Sequence, residues 1–203
     1  MPRFLTKTEE DEFRQELCDV TTRLFTDRGF AAVTMRSLAD ELGCSRTTPY
    51  RYFKDKADIL ATVRAGGFAR LADRLTGVDA ADDVIDRIRL LARQYIAFAR
   101  EEPDVYRLMF DTNQPDTKAH PILDAQIDRN RQAVRTVAYE AVAAGRLVGD
   151  PVVLARLFWA ALHGLVELHL DNKFRPDHDI TTLTSEMISA LIAGMIPSTR
   201  NPA

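Results

Sequence analysis

Cysteine is scarce in this chain of 203 residues: there are two, Cys18 and Cys44, far apart in sequence. A disulfide scaffold is therefore excluded, and two isolated thiols fit a reducing compartment. Glycine and proline, nine of each, are too few for a collagen-like or low-complexity chain. No uninterrupted apolar run approaches the roughly 18 residues of a spanning helix. The first residues, Met1 to Phe13, carry charges where a signal peptide has its apolar stretch. The expectation is a cytoplasmic protein with no membrane segment and no export. What remains is an ordinary globular composition, 46% hydrophobic and 28% charged, with room for one domain or two small ones.

The net charge is −3, so the chain does not coat nucleic acid over its whole surface. Its distribution says more. Residues 1–65 hold eleven basic and eleven acidic side chains, and the rest of the chain is mildly acidic. Between Cys44 and Lys54 stand Arg46, Arg51 and Lys54 with no acid at all. Such a local basic patch suits contact with a phosphate backbone at one place, the plainer alternative being a solvated loop.

Apolar spacing is helical throughout, and no period-two run bounded by turn residues marks a strand. An all-α fold of about nine helices is expected. Phe13, Leu17, Val20, Leu24 and Phe25 make the first stripe, from about Thr8 to Arg28, closed by Gly29. Thr34 caps a two-turn helix that ends at Gly43, and Ser45 is placed to cap a third through Phe53. A fourth runs from about Asp55 to Leu75 and connects a small amino-terminal unit, 1–54, to a larger one, 55–203. Five further helices are expected over Asp82 to Glu101, from Pro103, over Pro121 to Ala144, from Pro151 behind its cap Asp150, and over Ile180 to Ile196. Polar loops are expected over Thr112 to His120 and Asp171 to Asp179.

Two short helices joined by a tight glycine turn form a helix-turn-helix pattern. Ala39 allows close crossing, Gly43 makes the turn, and Leu38, Leu42, Cys44 and Tyr52 fall where the motif buries side chains. The run G-C-S-R-T-T-P-Y-R-Y-F-K-D-K-A-D-I-L, Gly43 to Leu60, resembles the signature of the tetracycline-repressor (TetR) family of transcriptional regulators. The close match spans residues 34–60, with T-M-R-S-L-A-D-E-L ahead of that run.

The resemblance implies a set of DNA contacts. Arg46 and Thr47 open the recognition helix and face base edges, where Arg grips guanine through two hydrogen bonds. Arg36 matches a base-reaching position, Tyr50 and Tyr52 match phosphate contacts, and Lys56 matches a phosphate-binding lysine. Ser45, Thr48, Arg51 and Lys54 complete the candidate surface. The alternatives are solvated side chains for Arg36 and Arg51 and a packed aromatic for Tyr52. Pro49 departs from the family, which more often has a branched aliphatic there. With Ser45 as cap it falls at the margin of the first turn, so the recognition helix is expected to survive.

In the larger domain the helix from Pro151 is apolar on two stripes. Leu154, Leu157, Phe158, Ala161, Leu165 and Leu168 form one, and Trp159, Leu162, Val166 and Leu170 the other. A helix apolar nearly all round needs two partners, and a second subunit is the simplest. The expected homodimer interface comprises Leu162, Val166, Leu170, Leu183, Met187 and Leu191. F-W-A-A-L-H-G-L resembles the Trp-x-x-x-His-Gly (WHG) element of one TetR carboxy-terminal type.

Polar and aromatic residues on inward stripes are candidates for an effector pocket: Tyr95, Phe98, Tyr106, Asn130, Arg131, Trp159, His163 and Glu167. For each the alternative is a packed or hydrogen-bonded core residue. The histidines, 120, 163, 169 and 178, make no closed ligand set, so neither metal nor cofactor is expected.

The function so implied is a repressor that binds double-stranded operator DNA as a dimer and is released by a small molecule. The competing readings are a regulator of the same fold without an effector, and a helical enzyme. The latter lacks a phosphate loop, a nucleophile elbow and a metal set. The pair Gly66-Gly67 inside the fourth helix is read either as a hinge that carries the effector signal or as a close packing contact.

Overall fold

The computed structural model describes residues 6–77, 83–111, 119–175 and 179–197. Its described residues form eight α-helices and two single 3-10 turns, without strands. The α-helices are α1 (Lys7–Arg28), α2 (Met35–Glu41), α3 (Lys56–Thr76), α4 (Val84–Glu101), α5 (Pro103–Phe110), α6 (Pro121–Ala143), α7 (Pro151–Leu170) and α8 (Ile180–Met195). The 3-10 turns are Phe30–Ala32 and Pro49–Arg51. The expected count of nine falls by one because the segment from Ser45 to Phe53 does not become an α-helix. Asp82, 112–118 and 176–178, on which a helix start and parts of two loops were placed, lie outside the described residues.

The chain divides into two compact units, one of residues 1–68 with 104–127 and the other of 69–103 with 128–203. The division therefore cuts within α3 instead of at residue 54, and α5 belongs with the amino-terminal helices. In the first unit Leu17, Leu24, Leu38, Phe53, Ile59, Leu60 and Leu108 share one core. α5 packs on α3 through Phe110 against Phe68, ring centroids 5.4 Å apart. Arg64, buried, donates from Nε to the Met109 carbonyl at 3.2 Å, satisfying a helix-end acceptor. α3 runs unbroken through Gly66-Gly67.

In the second unit α4, α7 and α8 pack on one another. Each starts on an acidic cap, of which Asp150 was legible in the sequence. Asp83 accepts from Ile85 N at 2.8 Å, Asp150 from Val152 N at 2.7 Å and Asp179 from Thr182 N at 3.0 Å. α7 is long and apolar enough to cross a membrane by length and composition. Leu154, Phe158, Leu162 and Val166 on it are spent on the core of this unit.

Candidate nucleic-acid interface

α2 is only seven residues long, and its start is held by a reciprocal cap. Thr34 Oγ1 accepts from Ser37 N at 3.0 Å, and Ser37 Oγ accepts from Thr34 N at 2.9 Å. Its end is a turn on Gly43, whose φ of 60° is left-handed backbone that glycine adopts without strain. Cys44 N reaches back to Ala39 O at 3.0 Å and closes the turn. Leu38 and Ala39 are buried, while Leu42, Cys44 and Tyr52 are half-buried at its margin.

The recognition segment follows and corrects one expectation. Proline at position 49 has no N–H to give to Ser45 O. That carbonyl accepts from Thr48 N instead, at 2.8 Å, and the next bonds, Arg51 N to Thr48 O and Tyr52 N to Pro49 O, are also of i to i+3 type. The segment is thus a turn followed by a single 3-10 turn that leaves on one α-type bond, Phe53 N to Pro49 O at 3.0 Å, with Ser45 Oγ beside Thr47 Oγ1 at 3.0 Å. The effect of Pro49 reaches beyond the margin of the first turn.

Pro49 and Phe53 point into the core, and the opposite side is outward. Ser45, Arg46, Thr47, Tyr50, Arg51 and Lys54 are exposed, Thr48 half-buried. The nearest carboxylates are occupied by backbone: Asp58 accepts from Lys54 N and Asp55 from Asp58 N, both at 2.9 Å. Arg46, Arg51 and Lys54 stand together on one short segment and make no ion pair among the described residues. Arg36, ten residues before Arg46 near the start of α2, is exposed and lies 3.7 Å from Asp40 one turn on.

Two of the expected contacts are otherwise engaged. Tyr52 packs against Phe13 with the rings tilted at 44°, centroids 5.0 Å apart, which is the packed alternative. Lys56 donates from Nζ to the Phe30 carbonyl and sits 3.5 Å above the Phe30 ring. Burial lowers its pKa from the ordinary lysine value. Its ammonium holds the turn at Phe30 and is not free on the surface.

Arg14 was not anticipated. From α1 it donates through Nη1 to the Tyr52 carbonyl at 2.7 Å, and its guanidinium carbon lies 4.1 Å from the Phe53 ring centroid. The signal available in sequence was a cation one turn ahead of Leu17 and Cys18, at the edge of the apolar stripe of α1.

The expected effector residues fall in both units. Tyr95 and Phe98 are buried in the second unit, whereas Tyr106 is buried in the first. Asn130 is buried on α6, but Arg131 is turned outward to Asp128 at 2.9 Å, because one residue of helix rotates the side chain by about 100°. Trp159 is 44% exposed and stacks on His163, centroids 5.4 Å apart, with Glu167 half-buried one turn further. Burial lowers the His163 pKa from the ordinary imidazole value and the Glu167 charge opposes it. An apolar void in this unit is lined instead by Ile88, Leu91, Val134, Val137, Phe158 and Ile188 among others.

The dimer expectation also needs revision. Leu162 and Val166 are 2% and 0% exposed within the single chain, so they have no surface to offer a partner. Leu170, Leu183, Met187 and Leu191 are half-buried. The large apolar side chains that α7 leaves exposed are Val153, Leu157, Trp159 and Leu168.

Comparison with known proteins agrees with this architecture. The family profile described as bacterial regulatory proteins, tetR family, matches residues 17–63. The profile of the tetracyclin repressor-like C-terminal domain matches residues 88–191. An HTH-type transcriptional regulator of Mycobacterium tuberculosis is 26% identical over 145 residues, covering 69% of this chain and 60% of the relative. The HTH-type transcriptional activator FasR of Mycolicibacterium smegmatis is 27% identical over 137 residues, 65% of this chain and 59% of the relative. The chain thus spans about 60% of the length of these curated relatives. A structure of a Rhodococcus protein of unknown function superposes with a TM-score of 0.79 at 22% identity, over 97% of this chain and all of that one. The fatty acid degradation regulator FadR of Bacillus halodurans gives 0.74 at 14% identity, over 98% of this chain and all of that one. At such identity the structural likeness is one of fold.

Proposed function

Because the chain belongs to the TetR family of transcriptional regulators, which are DNA-binding proteins and not enzymes, we propose that it is a cytoplasmic repressor. In this reading it grips a palindromic operator as a homodimer and lets go when a small molecule binds the second unit. The observation that carries the DNA reading is the outward row Arg46, Thr47, Tyr50 and Arg51, with Ser45, Thr48 and Lys54 beside it, mounted on a capped helix-turn-helix. Arg46 and Thr47 read bases, Arg51 and Lys54 meet phosphate, and Arg36 reaches the same groove from the start of α2.

Dimerisation is supported by Leu157, Trp159 and Leu168, large apolar side chains exposed on the same helix. Leu170, Leu183, Met187 and Leu191 are half-buried, and the Trp159-His163-Gly164 element belongs to the same helix as the exposed side chains. The effector reading is supported by a small apolar void of about 10 Å³ among α4, α6, α7 and α8, room for no more than a water-sized group until the helices part, whose apolar lining favours an uncharged ligand or ligand part. Tyr95, Phe98, Asn130 and His163 remain candidates to meet such a ligand as it opens this unit. Activation instead of repression is a second reading, favoured by the relative named an activator.

Selection of duplexes from a random library by the full chain, followed by footprinting, tests the proposal. An inverted repeat with half-sites about one helical turn or more apart, bound by two chains, is the expected result. Recovery of no preferred sequence, or of a non-repeated site bound by one chain, contradicts it. A reporter fused to the selected site separates repression from activation.

A further inference from the structure

A recognition segment with one 3-10 turn has little rigidity of its own. Turns of i to i+3 type are short and have poorer hydrogen-bond geometry than an α-helix. Pro49 removes a donor besides. Something outside the segment must set the direction in which Arg46, Thr47 and Tyr50 point.

Two adjacent residues of α1 meet two adjacent residues at the exit of that segment. Phe13 packs on the Tyr52 ring at 5.0 Å, and Arg14 spreads over the Phe53 ring at 4.1 Å while donating to the Tyr52 carbonyl at 2.7 Å. The carbonyl is a terminal acceptor of the 3-10 turn, and a guanidinium N–H is the strongest donor a side chain can offer it. Phe53 itself is 1% exposed and cannot shift without disturbing the core.

We propose that Arg14 is a positioning residue for DNA recognition, fixing the exit of the recognition segment through the Tyr52 carbonyl and the Phe53 ring without itself contacting DNA. This rests on the reading of residues 45–54 as the DNA-facing surface. A positioning residue and a phosphate ligand leave different traces. Loss of a phosphate contact weakens all sequences alike and flattens the dependence of log K on log salt by about 0.9. Loss of a positioning contact weakens the selected sequence and leaves that slope as it was.

The experiment uses the full chain, a duplex selected by the unmodified protein and a random-sequence duplex of equal length, each titrated at several salt concentrations. Arg14→Met, which keeps apolar length but removes the donor, is expected to raise Kd for the selected duplex by about ten-fold and for random duplex by less than about two-fold, with unchanged slope. Arg14→Lys, which restores a charged donor without the planar fork, is expected to fall between the two. Should Arg14→Met fail to fold by circular dichroism, the same comparison on Arg14→Lys decides. Equal weakening on both duplexes with a flatter slope would make Arg14 a phosphate ligand and overturn the proposal. Binding like that of the parent would leave the DNA reading intact and overturn the role of Arg14 alone. If the unmodified chain prefers no sequence, both the DNA reading and the proposal fall.

Discussion

Gly67 of α3 lies so close beneath Met109 of α5 that a Cβ at this position would approach Met109 Sδ to 2.6 Å and Val105 Cγ1 to 2.8 Å. Met109 is fully buried and Val105 is branched at the point of contact, so neither can yield cheaply. The glycine is there for a close crossing of helices, which is the packing alternative to a hinge.

Gly67→Ala is therefore expected to destabilise the protein. The substitution gains about 1 kcal/mol of helix propensity and loses about 1–3 kcal/mol to overpacking. A net loss of up to about 2 kcal/mol should appear in urea unfolding. A stabilised variant would favour the hinge reading.

Arg46→Ala is expected to lose about 1–3 kcal/mol on the selected duplex and to relax discrimination at one base pair. Lys54→Ala should weaken every duplex to a similar degree, with the salt slope smaller by about 0.9. Competition binding against single-base variants of the selected site measures both. Parent-like discrimination in Arg46→Ala would remove that residue from the base-reading set.

Leu157 and Leu162 lie on the same helix with opposite expectations. Leu157→Glu places a charge on an exposed apolar face, and should yield a folded monomer by light scattering and circular dichroism. Leu162→Glu buries a charge in the core at a cost of several kcal/mol, and should unfold the chain. A folded dimer for Leu157→Glu contradicts the interface assigned to α7.

Stability should fall in mild alkali through Cys18. Burial pushes its thiol from 9.0 up to about 11, opposed to a smaller extent by the Arg14 charge and reinforced by that of Asp19. Below pH 9 both folded and unfolded chains hold the proton, so the contribution is fully present. Between pH 9 and 11 the unfolded chain releases a proton the folded chain keeps, and unfolding becomes easier as pH rises. The full loss is about 3 kcal/mol. Urea midpoints of the parent and of Cys18→Ala across this range isolate it from other groups; identical pH dependence in both would refute it.

Much of this was legible locally. Helix starts follow from a carboxylate or hydroxyl satisfying free N–H groups within three residues, so Thr34 and Asp150 announced theirs, whereas Asp83 and Asp179 cap in the same way without having been singled out. The turn at Gly43 and the basic row after it were equally local. The recognition segment misled because a single missing N–H at Pro49 tips a balance between α and 3-10 bonding that periodicity does not register.

Periodicity also groups residues on one side of a helix without saying which side meets the core. On α7 both sides are apolar, so the sequence by itself determined two stripes. Only packing against α4 and α8 decided that the core takes Leu154 and Phe158 from one stripe and Leu162 and Val166 from the other, while Leu157, Leu168 and Trp159 stay outside. Arg14 and Lys56 show the same division. That each is a cation with a long apolar stem is written in the chain. That Arg14 ends on a carbonyl 38 residues away, and Lys56 on one 26 residues away, depends on the chain turning back on itself. Local sequence fixes which groups need partners, and the tertiary structure supplies them, because burying an unpaired donor or carbonyl costs more than any local preference can offset.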